Sequence, residues 1–195
     1  YMDTKGTITK TTLSRPATRR RLVIVPEPAA IVPGMGLPFR GRELTLSVTR
    51  SRRKPAIQAD ETSLRVNLYE DTPAPPLADL LRAWYQLQAR SYLNERTAYW
   101  TALMGQHYGR VTIKDQRSRW GSCSSLRNLN YNWRLIMAPM PVLDYVVIHE
   151  AAHLIELNHS AAFWKIVAAY DPACQAHKLW LRKNGARLFQ LFPTR

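Results

Sequence analysis

At 195 residues, 46% of them hydrophobic, and with a formal net charge of +14, the chain can bury one domain core, or one domain with a small lobe, without covalent staples. Two cysteines, Cys123 and Cys174, exclude a disulfide-built fold, and the lack of any apolar run of about eighteen residues excludes a transmembrane helix. The basic, proline-containing N-terminal stretch has no apolar centre like that of a signal peptide, so a cytoplasmic location with no membrane partner is expected.

Residues 1–33 are rich in Thr, Arg and Pro, with one apolar patch at Leu22-Val23-Ile24-Val25, and read as a basic flexible arm. Twelve of the 28 Lys and Arg residues lie in the first 54 positions, against Asp3, Glu27 and Glu43. They cluster at Arg19-Arg20-Arg21 and Arg50-Ser51-Arg52-Arg53-Lys54. Such blocks attract polyanions, which makes nucleic acid a candidate partner. No aromatic platform accompanies them, and a solvated tail with a charged strand edge is the favoured reading, since charge runs of this kind are usually solvated faces.

From residue 37 the period changes. Leu44, Leu46 and Val48 alternate with Thr45 and Ser47, and Leu64, Val66 and Leu68 alternate with Arg65 and Asn67, as in half-buried strands of a hairpin or meander. Asp71-Thr72-Pro73-Ala74-Pro75-Pro76 is a rigid connection. Residues 77–104 contain neither Pro nor Gly and repeat Leu80, Leu81, Trp84, Leu87, Tyr92 and Leu93, which predicts one long helix stopped at Gly105. Val111-Thr112-Ile113-Lys114 and Tyr131-Asn132-Trp133-Arg134-Leu135 read as strands flanking a tight turn at Gly121. In that turn Trp120 is expected to fill core, with contact of Arg119 or Ser122 to substrate as the other reading, and Cys123 is expected to be a small buried thiol.

Pro139 and Pro141 introduce an apolar helix containing His149-Glu150-Ala151-Ala152-His153. Residues four apart stand one turn above each other on a helix, so His149 and His153 can aim at one ion. Glu150 lies about 100° round the helix, off the metal and placed to accept a proton from water held there. A hydrolytic zinc site takes a third ligand and keeps one position open. His159, Glu156 and His177 are the candidates. His159 fits if the helix stops and the chain reverses, and Asn158 tolerates the left-handed conformation such a reversal uses. Glu156 reads as a partner of a ligand imidazole rather than a ligand. Tyr131, Arg134 and Tyr145 are candidates to stabilise an oxyanion. Helices at about 160–170 and 173–184 follow, the second ended by Gly185.

The runs Arg119-Trp120-Gly121-Ser122-Cys123-Ser124, Asn130-Tyr131-Asn132-Trp133-Arg134-Leu135, Asp144-Tyr145-Val146-Val147-Ile148-His149-Glu150, Asn158-His159-Ser160 and Phe163-Trp164 resemble the YgjP-like metallopeptidase family, relatives of the SprT-like and WLM zinc proteases. The resemblance is dense from Val111 to Trp180. It implies a zinc-dependent peptidase acting on protein or peptide, with His149, His153 and His159 at the ligand positions and Glu150 at the catalytic position. The fold expected is α+β: a small N-terminal antiparallel sheet, then a zincin-like core with a zinc-binding helix and C-terminal helices. In domain terms this is an arm at 1–33 and a metallopeptidase domain at 34–195, divided into a strand-rich lobe at about 37–70 and a helical zinc core at about 77–195. Two other functions stay open. A nucleotide pyrophosphatase acting on UTP would use arginines to hold phosphate, although no acidic cluster for Mg²⁺ accompanies them. A SprT-like nucleic-acid-associated protease would use the basic arm to recruit DNA.

Overall fold

The structure, a computed structural model, describes residues 30–71 and 73–193, so the 1–29 part of the basic arm, with its Arg19-Arg20-Arg21 cluster, lies outside the described residues. Four strands come first: β1 (Gly36–Phe39), β2 (Arg42–Ser51), β3 (Ala56–Ala59) and β4 (Ser63–Tyr69). Alternation works as expected, burying Leu44 and Leu46 of β2 and Leu64 and Val66 of β4 on one face. β1 and β2 form a hairpin through Arg40 and Gly41, whose φ values of 51° and 77° make the two-residue turn that matches strand twist. A Cβ on Gly41 would come within 2.8 Å of the Pro139 backbone, so this turn sits directly against the start of a later helix.

The sheet is mixed, which corrects the expectation of an antiparallel one. Its order is β1-β2-β4-β3, with β2 and β4 parallel and β3 antiparallel to β4. The chain leaves β2, passes over the end of β4 and returns through the β3–β4 hairpin, placing β4 in the middle. Asn67 of β4 secures that crossing: its side-chain oxygen accepts from Ser51 Oγ at 2.8 Å, and its amide donates to the Arg53 and Lys54 carbonyls at 3.2 and 3.3 Å. Strand period fixes which face is buried; strand order depends on such loop contacts. The Arg50-Ser51-Arg52-Arg53-Lys54 cluster occupies this crossing, largely on the surface.

Helix α1 (Leu77–Leu103) ends as its sequence predicts. Gly105 has φ 62°, its N–H donates to the Ala102 carbonyl, and the Gln106 N–H donates to that of Thr101, the paired bonds of a glycine-terminated helix. Its buried stripe is Leu81, Tyr85, Ala89, Leu93, Thr97 and Thr101. Leu87 is instead exposed. Thr97 and Thr101 stay inside because each hydroxyl donates to a carbonyl one turn back, at 2.6 and 2.7 Å. Phe39 packs on Trp84 at 4.9 Å and the Tyr85 hydroxyl donates to the Pro38 carbonyl at 2.9 Å, joining α1 to the sheet.

A second, three-stranded sheet follows: β5 (Val111–Lys114), β6 (Gly121–Cys123) and β7 (Leu129–Asn132), in the order β5-β7-β6. Gly121 opens β6 rather than forming a turn. The expected strand at 131–135 ends at Asn132, whose side chain caps a short 3-10 helix, Trp133–Met137, by accepting from the Arg134 N–H. Helix α2 (Met140–Ala152) is apolar nearly all round and packs against α1, α4 (Cys174–Leu191), α3 (Ala161–Tyr170) and β6, the position expected of a buried helix. Asp144 of α2 pairs in bidentate fashion with Arg96 of α1, both contacts 2.7 Å. Helix α4 continues through Gly185 without stopping; that glycine lets Trp120 approach, since a Cβ there would meet Trp120 Cζ2 at 2.9 Å. Among the described residues no helix is long and apolar enough to cross a membrane.

Candidate metal centre

Helix α2 places His149 and His153 one turn apart, as their spacing requires, and stops at Ala152 with His153 as its C-cap. The helix unwinds through tight turns, in which Leu154 and Ile155 N–H groups donate to the Ala151 and Ala152 carbonyls. Arg127 helps hold the end by donating to the Leu154 carbonyl at 3.2 Å. The chain then brings His159 back towards the helix. The expected left-handed reversal at Asn158 is absent: among the described non-glycine residues only Arg40 and Arg127 have positive φ. Glu156 makes the bend instead. Its carboxylate accepts from the Asn158 N–H at 3.3 Å, and the Asn158 carbonyl accepts from the Ser160 N–H at 2.8 Å. Ser160 then caps α3 by accepting from the Phe163 N–H.

The result is a cluster in which one ligand atom from each of His149, His153 and His159 lies within 4.8 Å of the others, an arrangement able to hold a metal ion. Two observations fit a cation to it. The Nε2 atoms of His149 and His159 are 3.0 Å apart, converging on one point. His153 Nδ1 is 3.1 Å from the Glu156 carbonyl oxygen, which can only accept, so this nitrogen carries the proton and Nε2 keeps its lone pair. His149 Nδ1, the ring nitrogen turned away from that point, is buried with no hydrogen-bond partner among the described residues. Burial, followed by the neighbouring His153, His159 and Lys178, pushes His149 down to about 3, and burial also lowers His153. Both are neutral donors at physiological pH.

Phe163 stacks on His153 at 4.5 Å and Trp164 lies 5.8 Å from the His149 ring, forming an aromatic wall. The other expected ligand candidates lie elsewhere. Glu156 contributes its backbone carbonyl to His153 and spends its carboxylate on the bend. His177 pairs with Asp171 at 2.8 Å and is not part of the cluster.

Glu150 faces β6 so closely that a Cβ on Gly121 would fall 2.6 Å from its Oε1. Only a glycine gives this carboxyl room, a reason for Gly121 that its own neighbourhood in sequence does not disclose. Burial raises Glu150 to about 8, the range in which a carboxyl both takes up and releases a proton near neutral pH. A cavity of about 370 Å³ opens beside His149 and Glu150. Tyr145, one turn before His149 on α2, lines it, with burial raising its phenol to about 12. Trp120 also lines the cavity and packs on Phe189 at 4.8 Å, so it serves wall and core together. Arg119 reaches the cavity too, whereas Ser122 accepts from the Asn130 amide within the sheet.

Two oxyanion candidates are removed. Arg134 is fully buried and donates to Asp115 and to the Phe192 carbonyl, and Tyr131 is fully buried against Thr97. Cys123 is a free, half-buried thiol whose pKa is raised by burial and then by Glu150. Lys178 and Arg182 of α4 complete the rim and were missed in the sequence. They stand four apart on one helix face, a legible pattern, but nothing local relates that face to a helix some thirty residues earlier.

The chain matches the family model described as YgjP-like, metallopeptidase domain, over residues 8–184. Among solved structures, the crystal structure of the metallopeptidase zymogen of Pyrococcus abyssi abylysin is similar at 19% identity and a TM-score of 0.42, covering 48% of this chain and 93% of that one. No curated protein matches.

Proposed function

Because the chain belongs to the YgjP-like metallopeptidase family, a family of metal-dependent hydrolases, we propose that it is a zinc peptidase in which His149, His153 and His159 hold the ion and Glu150 is the general base. The observation that carries this reading is the convergence of three imidazoles beside a buried carboxyl. An all-nitrogen donor set suits zinc better than magnesium, which supports peptide hydrolysis over a magnesium-dependent nucleotide reaction. When bound, the ion would polarise the scissile carbonyl and acidify the attacking water.

The residues of the chain supply the rest. Glu150 accepts the proton of the attacking water and passes it to the departing amine, the two transfers a carboxyl poised near neutral pH performs. Gly121 leaves space for that carboxyl against β6, and the Glu156 carbonyl holds His153 in the tautomer whose Nε2 is free. The Tyr145 phenol, protonated throughout the neutral range, is the hydrogen-bond donor nearest in kind to what a developing oxyanion needs.

Metal analysis combined with peptide hydrolysis tests this reading. The expected outcome is about one zinc per chain, lost with His149→Ala or His159→Ala and retained by Glu150→Gln, whose kcat falls by roughly 10²- to 10⁴-fold. Full zinc in both histidine variants, or unchanged hydrolysis by Glu150→Gln, would overturn the assignment.

A further inference from the structure

The cavity beside Glu150 is electrostatically one-sided. Its wall holds three cations, Arg119, Lys178 and Arg182, and one acidic group, Glu150, which is buried. Among the described residues the ion pairs use other side chains, and none is formed by these three. Lys178 is held towards the histidines, its Nζ 4.6 Å from the Trp164 ring centroid. Lys178 and Arg182 are also one turn apart on α4, and like charges so placed disfavour the helix. Apart from the contact of Lys178 with Trp164, no hydrogen bond or ion pair within the fold offsets that repulsion among the described residues. A volume of about 370 Å³ admits one side chain and its backbone rather than an extended polymer.

We propose that this cavity is a specificity subsite that receives a carboxylate of the peptide substrate, supplied by an Asp or Glu side chain beside the scissile bond or by a free C-terminus. The inference rests on the peptidase reading above. The three cations recognise the carboxylate by charge and by hydrogen bonds from their N–H groups, and they repel a Lys or Arg at the same place. Because they stand at the surface, salt weakens the preference.

The test uses the zinc-loaded full chain and peptides that share one cleavable bond flanked by Glu, Gln or Lys, each with a free or amidated C-terminus. The expected kcat/KM is roughly tenfold higher for Glu than for Gln, lower still for Lys, with the ratio shrinking as salt rises. If the preference follows the free C-terminus instead of the side chain, the terminal carboxylate is the source. The double variant Lys178→Met, Arg182→Gln should bring the Glu-to-Gln ratio close to one, and Arg182→Glu should move preference towards Lys; both positions are exposed on α4, so folding is spared. Binding of the same peptides to Glu150→Gln protein, followed through the fluorescence of the adjacent tryptophans, reads recognition without turnover. Equal handling of Glu and Gln peptides by the unmodified chain, or a ratio that the double variant leaves intact, overturns the subsite while leaving the peptidase standing. Failure to cut any peptide, with tighter binding and hydrolysis of UTP, overturns both and assigns the cations to phosphate.

Discussion

Individual side chains near the centre separate into those that do chemistry and those that make room for it. Gly121 is of the second kind. In Gly121→Ala the new methyl group meets the Glu150 carboxyl at 2.6 Å, and the side chain must shift. A displacement on the order of 1 Å costs roughly 10²-fold in rate, so kcat should fall by about that factor while zinc content stays whole. Unchanged turnover would mean that β6 does not position Glu150. Asn158 makes the opposite case. It is exposed, without positive φ, and joins the bend only through its backbone. Asn158→Ala should therefore keep stability within about 0.5 kcal/mol and zinc affinity unaltered, measured by urea unfolding and competition with a chelator. Loss of zinc would restore a structural role for this side chain.

Elements are locked to one another by few, well-oriented polar contacts set among apolar ones. Arg96 and Asp144 tie α1 to α2, the helix that carries His149, with side chains 20% and 19% exposed. The Arg96 guanidinium also lies 4.5 Å from the Tyr99 ring. Partial burial and bidentate geometry lift this pair above ordinary surface ion pairs. A double-mutant cycle of Arg96→Ala and Asp144→Ala should give a coupling of about 1–3 kcal/mol in unfolding experiments. Additive effects would show that the helices are held by packing alone. At the same scale, the helix ends were readable where one residue type decides them, as at Gly105 and Ser160. The early end of α2 was not, because it depends on Arg127 reaching the Leu154 carbonyl from a distant turn.

Across the molecule, the C-terminal end is fastened to the core by a buried charge. Arg134 donates to Asp115 at 2.5 Å and to the Phe192 carbonyl, and Arg82 also reaches Asp115, at 3.3 Å. The Arg134 side chain is fully buried, with burial the main influence lowering its pKa. Asp115→Ala should leave that cation without a counter-charge, at a cost of roughly 3 kcal/mol, or a Tm lower by about 6–12 °C for a chain of this size. Calorimetry finding no change would show that the carbonyl of Phe192 suffices. This contact also explains why Arg134 could not serve an oxyanion: the residue lies in the family-like run, but its partners come from 19 and 58 positions away.

What the sequence determined by itself was whatever depends on short spacing. The 3.6-residue period set His149 and His153 on one face and Glu150 beside them, the two-residue period selected Leu44, Leu46, Leu64 and Val66 for burial, and glycine ended α1. The tertiary structure decided whatever needs two remote segments to meet. It placed β4 between β2 and β3, bent the chain with Glu156 in place of a left-handed Asn158, turned Gly121 and Gly185 into points of close approach, and brought Lys178 and Arg182 to the rim beside Glu150. The physical reason is one of range: backbone sterics and helix or strand periodicity act over a few residues, whereas close packing and buried charge depend on neighbours that chain order does not reveal.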